Sequence, residues 1–96
     1  MAQIKIYGQN EALFHFVTAH QHAIHNMQRA LTSANTVNDV FVMDVEGEAY
    51  PQLVAVDGKG VKLAHIVLSN EVVSGEAQAL VYLDSPDFLV AGVMTH

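Results

Sequence analysis

Ninety-six residues with ten acids, four bases, a formal net charge of −6 and no cysteine exclude more than they suggest. The length gives a single domain, 1–96, and the four scattered bases, Lys5, Arg29, Lys59 and Lys62, cannot neutralise a row of phosphates, so nucleic acid and an anionic membrane surface are excluded as partners. Without cysteine there are no disulfides, no thiolate nucleophile and no Cys-rich zinc site.

Apolar residues make up 51% of the chain and charged ones 15%, with a mean hydropathy of +0.24. A soluble domain usually carries roughly 25% charged residues. The surplus predicts apolar surface hidden against a partner, and the simplest partner is a second copy in a homodimer. No apolar run approaches the ~18 residues of a membrane span. Met1 to Gly8 lacks the basic-then-apolar pattern of a secretory leader, so a cytoplasmic protein is expected.

In chain order, residues 2–7 alternate with Ile4 and Ile6 on one side, which predicts a short strand closed by Gly8. Asn10 offers a side-chain oxygen to cap a helix. The stretch of about 10–34 has no Gly, no Pro and few β-branched residues, and as one helix it would be about 36 Å long. Leu13, Phe16, Val17, Ile24, Met27 and Leu31 form its apolar face; Glu11, His15, Thr18, His22, His25 and Arg29 form its polar face.

From Val37 the period falls to two. Strands are expected over 40–46, 49–56, 61–69, 77–83 and 88–95, with Pro51 near the start of the second. Asp57-Gly58-Lys59-Gly60 is a hairpin signal. An internal echo, Val45-Glu46-Gly47-Glu48-Ala49 against Val73-Ser74-Gly75-Glu76-Ala77, suggests two equivalent hairpins. The links are too short for crossover helices, so the sheet should be mainly antiparallel. The expected fold is α+β: one long amphipathic helix on a sheet of five to six strands, in the order β-α-β-β-β-β-β. That order resembles a small hot-dog domain or a cystatin-like arrangement, and neither comparison brings catalytic residues with it.

Four of the six histidines, His15, His20, His22 and His25, fall within eleven residues of the helix. His22 and His25 are three apart and His15 lies two turns earlier on the same stripe, a spacing that could hold a divalent ion. A stable site needs more ligands, and Glu11, His65, His96 or an acid from a second subunit are the candidates. The sequence requires no cofactor, and adventitious metal binding is the plainer expectation. His20 falls within the apolar face, which suggests a neutral packed imidazole or a general base between helix and sheet. His65 lies in a strand and could approach it. Asp44, Glu46 and Glu48 alternate along one strand side, a solvated row in the plain reading; Asp44 is the candidate orienter of a His20 base.

Phosphate-binding glycine loops, dinucleotide fingerprints and nucleophile elbows are absent. The opening Met-Ala-Gln-Ile-Lys-Ile-Tyr-Gly, with Ala23-Ile24-His25, is similar to the start of some tautomerase-superfamily chains over about a quarter of this sequence. That chemistry depends on an N-terminal proline, and position 2 here is Ala, so no activity is carried over. Two functions are therefore expected. One is a homo-oligomeric binding module for a small apolar ligand or a protein partner. The other is a small acid–base enzyme, of the hot-dog-like thioesterase or dehydratase kind, using His20, His65 and Asp44.

Overall fold

The computed structural model describes residues 4–86, Phe88 and the backbone of Met94–Thr95. Its elements are β1 (Lys5–Ile6), α1 (Glu11–Ala19), α2 (Gln21–Thr32), β2 (Asp39–Met43), β3 (Gln52–Val56), β4 (Lys62–Val67), α3 (Asn70–Ser74), β5 (Leu80–Leu83) and β6 (Met94–Thr95). The class is α+β, with one sheet in the order β1-β2-β3-β4-β5-β6. Among the described residues no helix is long and apolar enough to cross a membrane.

The sheet is mixed, with two parallel ladders at its edges that the sequence reading did not foresee. The ladders β2–β3, β3–β4 and β4–β5 are antiparallel; β1–β2 and β5–β6 are parallel. The first exception follows from the helical segment between β1 and β2. It carries the chain back to the end of the sheet where β1 began, so an adjacent β2 must run in the same direction. The β3–β4 hairpin forms where Asp57-Gly58-Lys59-Gly60 predicts it. Asp57 Oδ1 accepts from the backbone N–H of Lys59 and of Val61, both at 2.9 Å, and Gly60 takes φ +81°. Pro51 stands just before β3, where its missing N–H costs no ladder bond.

The single long helix is corrected to two, interrupted at His20 (φ −123°, ψ 24°). Asn10 caps α1, its side chain accepting from Leu13 N–H at 3.2 Å. At 100° per residue Leu13, Val17, Ile24 and Leu31 share one stripe, and they are the buried residues of the two helices. An unbroken helix would place His20 on that same stripe, with its imidazole aimed into the core. Burying a polar ring without a partner is costly. The break leaves His20 only half-buried, its ring 5.0 Å from that of Phe16. Thr18 Oγ1 donates to Phe14 carbonyl at 2.9 Å just before the break, a back-bond that favours bending.

Helix α3 has no counterpart in the sequence reading. Ser69 caps it by accepting from Val72 N–H, and Gly75 ends it at φ 86°. The echo therefore does not make two hairpins. Gly47 (φ 85°) lies in the loop between antiparallel β2 and β3, whereas Gly75 terminates a helix. The two copies share a left-handed glycine and little else. Of the last expected strand, 88–95, only Met94–Thr95 is strand among the described residues. The acid row is also corrected: β2 ends at Met43, and Asp44, Glu46 and Glu48 lie in the exposed loop beyond it.

Alternation along the strands gives the sheet two different faces. Val40, Val42, Leu53, Ala55, Ala64, Ile66 and Val81 point one way and join Leu13, Val17, Ile24, Leu31, Val73 and Phe88 in one core cluster. Phe41, Val54, His65 and Tyr82, aligned across β2 to β5, point the other way. Among the described residues no helix lies over this second, open face.

Candidate functional site

The open face carries the most specific polar geometry in the described chain. His65 Nδ1 lies 2.8 Å from Asp84 Oδ2. A carboxylate only accepts, so Nδ1 is the donor in this bond, and in the neutral ring that tautomer leaves the lone pair on Nε2. The His65 ring stacks on Tyr82, its cross-strand partner, at 5.2 Å and 15° between planes. Both groups of the pair retain solvent access, with side chains 18% and 26% exposed.

Backbone geometry places Asp84. The β3–β4 register shifts between Ala55 and Val56, so that Ala55 faces Ala64 while Val56 faces Lys62 and Leu63 is passed over. The Leu63 carbonyl then accepts from Asp84 N–H at 2.9 Å and Ser85 N–H at 3.0 Å. This holds the turn after β5 against β4, two residues beyond the His65–Tyr82 pair.

Around that pair the open face is apolar. Phe41, Met43, Val56, Val67 and Tyr82 are half-buried, and Val54, at 2% exposure, is buried without belonging to the core cluster. Tyr7, 66% exposed, extends the surface over Phe41 at 5.6 Å between rings. Charged groups stand at one end: Lys5 pairs with Asp39 at 2.9 Å, Lys62 faces Val56, and Asp84 holds His65. Gln52 is 6% exposed between Met43 and Val67, and its Oε1 has no hydrogen-bond partner among the described residues.

The other sequence candidates lie away from the His65–Asp84 pair. Asp44 accepts from Asn10 Nδ2 at 2.8 Å, so it steadies the cap of α1 and does not orient a histidine. His20 packs at a tilt against Phe16, 56° between ring planes, and lines an open hollow of about 530 Å³ with Thr18, His22, Asn26, Ser74 and Gly75. His15 lies 3.6 Å from Glu11 on an exposed turn. His22 is exposed and His25 half-buried. Among the described residues no three His, Asp or Glu side chains gather closely enough to hold a metal ion. His96 lies outside the described residues.

The sequence reading named His65 but missed Asp84 as its partner. The signal was present: a β4–β5 register that sets His65 opposite Tyr82 brings position 84 back beside position 63. That register could not be assigned without knowing where β5 begins. No protein-family model matches the chain, and neither a curated protein nor a solved structure matches it.

Proposed function

We propose that this chain is a small binding module whose working surface is the open face of the sheet. One observation carries the reading: the row Phe41–Val54–His65–Tyr82 is apolar or aromatic on a face that no described helix covers. A contiguous apolar patch of this kind marks an interaction surface. The seam between helices and sheet, the other place for an apolar ligand, is filled by the core cluster. The hot-dog-like and cystatin-like comparisons add no function, because they share only helix-on-sheet layering with this chain.

The test is titration with an apolar fluorescent probe, 8-anilinonaphthalene-1-sulfonate, on the native chain and on Phe41→Glu, both diluted until they sediment as monomers so that no second copy can cover the face. Binding that disappears in the folded variant supports the reading. Equal probe response in both sinks it.

The His65–Asp84 geometry favours a second reading, an acid–base enzyme. A carboxylate on Nδ1 fixes the tautomer that makes Nε2 a general base. Asp84 would then take the orienting role expected of Asp44. Nitrogen NMR of His65 tests its premise: the Nδ1–H tautomer should dominate in the native chain and lose its preference in Asp84→Asn. An unchanged tautomer ratio would remove this reading.

A further inference from the structure

We infer that the occupant of the open face is a second copy of this chain, packed face to face about a two-fold axis running along β3. This rests on the reading of that face as a docking surface, and names its partner.

Charge is the first argument. The chain carries −6, so two copies repel unless the surfaces that meet are neutral or complementary. The open face holds Lys5 and Lys62 against Asp39 and Asp84, two charges of each sign, and thereby half of the chain's four basic residues. Asp39, Lys62 and Asp84 stand at one end of the face, and Lys5, level with Phe41, reaches that end through its ammonium on Asp39; their order across the strands decides what they can meet. Lys5 is on β1, Asp39 on β2, Lys62 on β4, and Asp84 follows β5.

An in-plane two-fold along β3 exchanges β1 with the partner's β5 and β2 with the partner's β4. It therefore sets Lys5 against the partner's Asp84 and Asp39 against the partner's Lys62. An axis across the strands would instead place this charged end against the apolar end, Met43 and Val67. Only the axis along β3 is self-complementary in charge.

The same axis runs through Val54 and Gln52, so each meets its own copy. Val54 is only 2% exposed, so the contact beside the axis falls to its half-buried neighbours, Phe41 against the partner's His65 on either side. Gln52 on Gln52 joins two amides, each able to donate N–H to the other's Oε1 once the side chain rotates out of its buried position. That would satisfy the oxygen left unpartnered in the single chain. Isologous contacts of this kind are what a two-fold requires.

Size is sufficient to order of magnitude. The 22 residues of β1 to β5, at ~3.3 Å along and ~4.8 Å across the strands, cover roughly 350 Å² in projection. Side-chain relief and the Tyr7 ring bring this within reach of the ~800 Å² per partner of a standard interface.

The test is the mass of the native chain by light scattering and sedimentation at tens of micromolar, beside three variants checked for fold by circular dichroism. A dimer is expected. Phe41→Glu should return a folded monomer. Lys62→Glu sets two acids face to face at two symmetric positions and should weaken association about tenfold, more at low salt. Adding Asp39→Lys in the same chain should recover most of that loss, because each reversed charge again meets its opposite. A native monomer overturns the inference, and so does a dimer indifferent to both Phe41→Glu and Lys62→Glu. A monomer that still binds the apolar probe, with binding lost in Phe41→Glu, overturns the second-copy inference alone and leaves the docking face standing with a different occupant. A monomer without probe binding removes both.

Discussion

The two faces of the sheet are built from the same strands and nearly the same residue types, yet they differ in what they do. The helix-covered face alternates Val, Leu, Ala and Ile into a core where Leu53, Val42, Ala55 and Val81 have no exposure. The open face alternates Phe41, Val54, His65 and Tyr82 in the intervening positions, with an ion pair, a His–Asp pair and an amide oxygen without a partner among the described residues. Apolarity alone therefore does not mark a core. Polar groups fixed in specific geometry among apolar neighbours distinguish the open face from the core.

Adjacent residues on β3 give the sharpest contrast. Leu53→Ala should lower stability by about 3 kcal/mol in urea unfolding, the loss typical of a cavity in a closed core. Val54→Ala, one residue along, should cost about 1.5 kcal/mol in dilute solution, two methyl-sized groups at roughly 0.8 kcal/mol each. Its cost should grow with protein concentration if the open face associates. Equal losses at the two positions, independent of concentration, would break the comparison.

Smaller effects refine it. Asn10→Ala removes the cap of α1 and its bond to Asp44, which ties the helical layer to the end of β2; a loss of about 1 kcal/mol is expected in the same unfolding assay. Gln52→Leu should do the opposite in a monomeric background such as Phe41→Glu, raising stability by about 1 kcal/mol because an unpaired buried oxygen is removed. A loss there would mean that the amide is already satisfied within one chain. His20→Ala should cost least, about 0.5 kcal/mol, since a half-buried ring resting on Phe16 is all that goes. A drastic loss of fold would instead make His20 a structural centre of the helix break.

Much of the scaffold was legible. The amphipathic stripe named Leu13, Val17, Ile24 and Leu31, the residues the helices bury, because side-chain periodicity is a property of the local chain. Asn10 and the Asp57–Gly60 turn were legible for the same reason: capping and turn chemistry act within a few residues. The break at His20 was half-visible, as a polar residue on an apolar stripe, but whether such a residue is buried with a partner or expelled depends on what lies opposite. Helix α3 was missed because one turn of Asn-Glu-Val-Val-Ser carries too little periodicity to read.

The sequence by itself determined the class, the apolar surplus and the local stops and caps, all of which follow from composition and short-range geometry. Tertiary structure alone decided that β1 runs parallel to β2, that His65 meets Asp84 rather than His20, and that Asp44 serves a helix cap. These depend on strand register, and a shift of one residue would send every side chain of a strand to the opposite face. Register is set by packing and turns acting together across the chain, so the candidate site became visible only once the sheet was assembled.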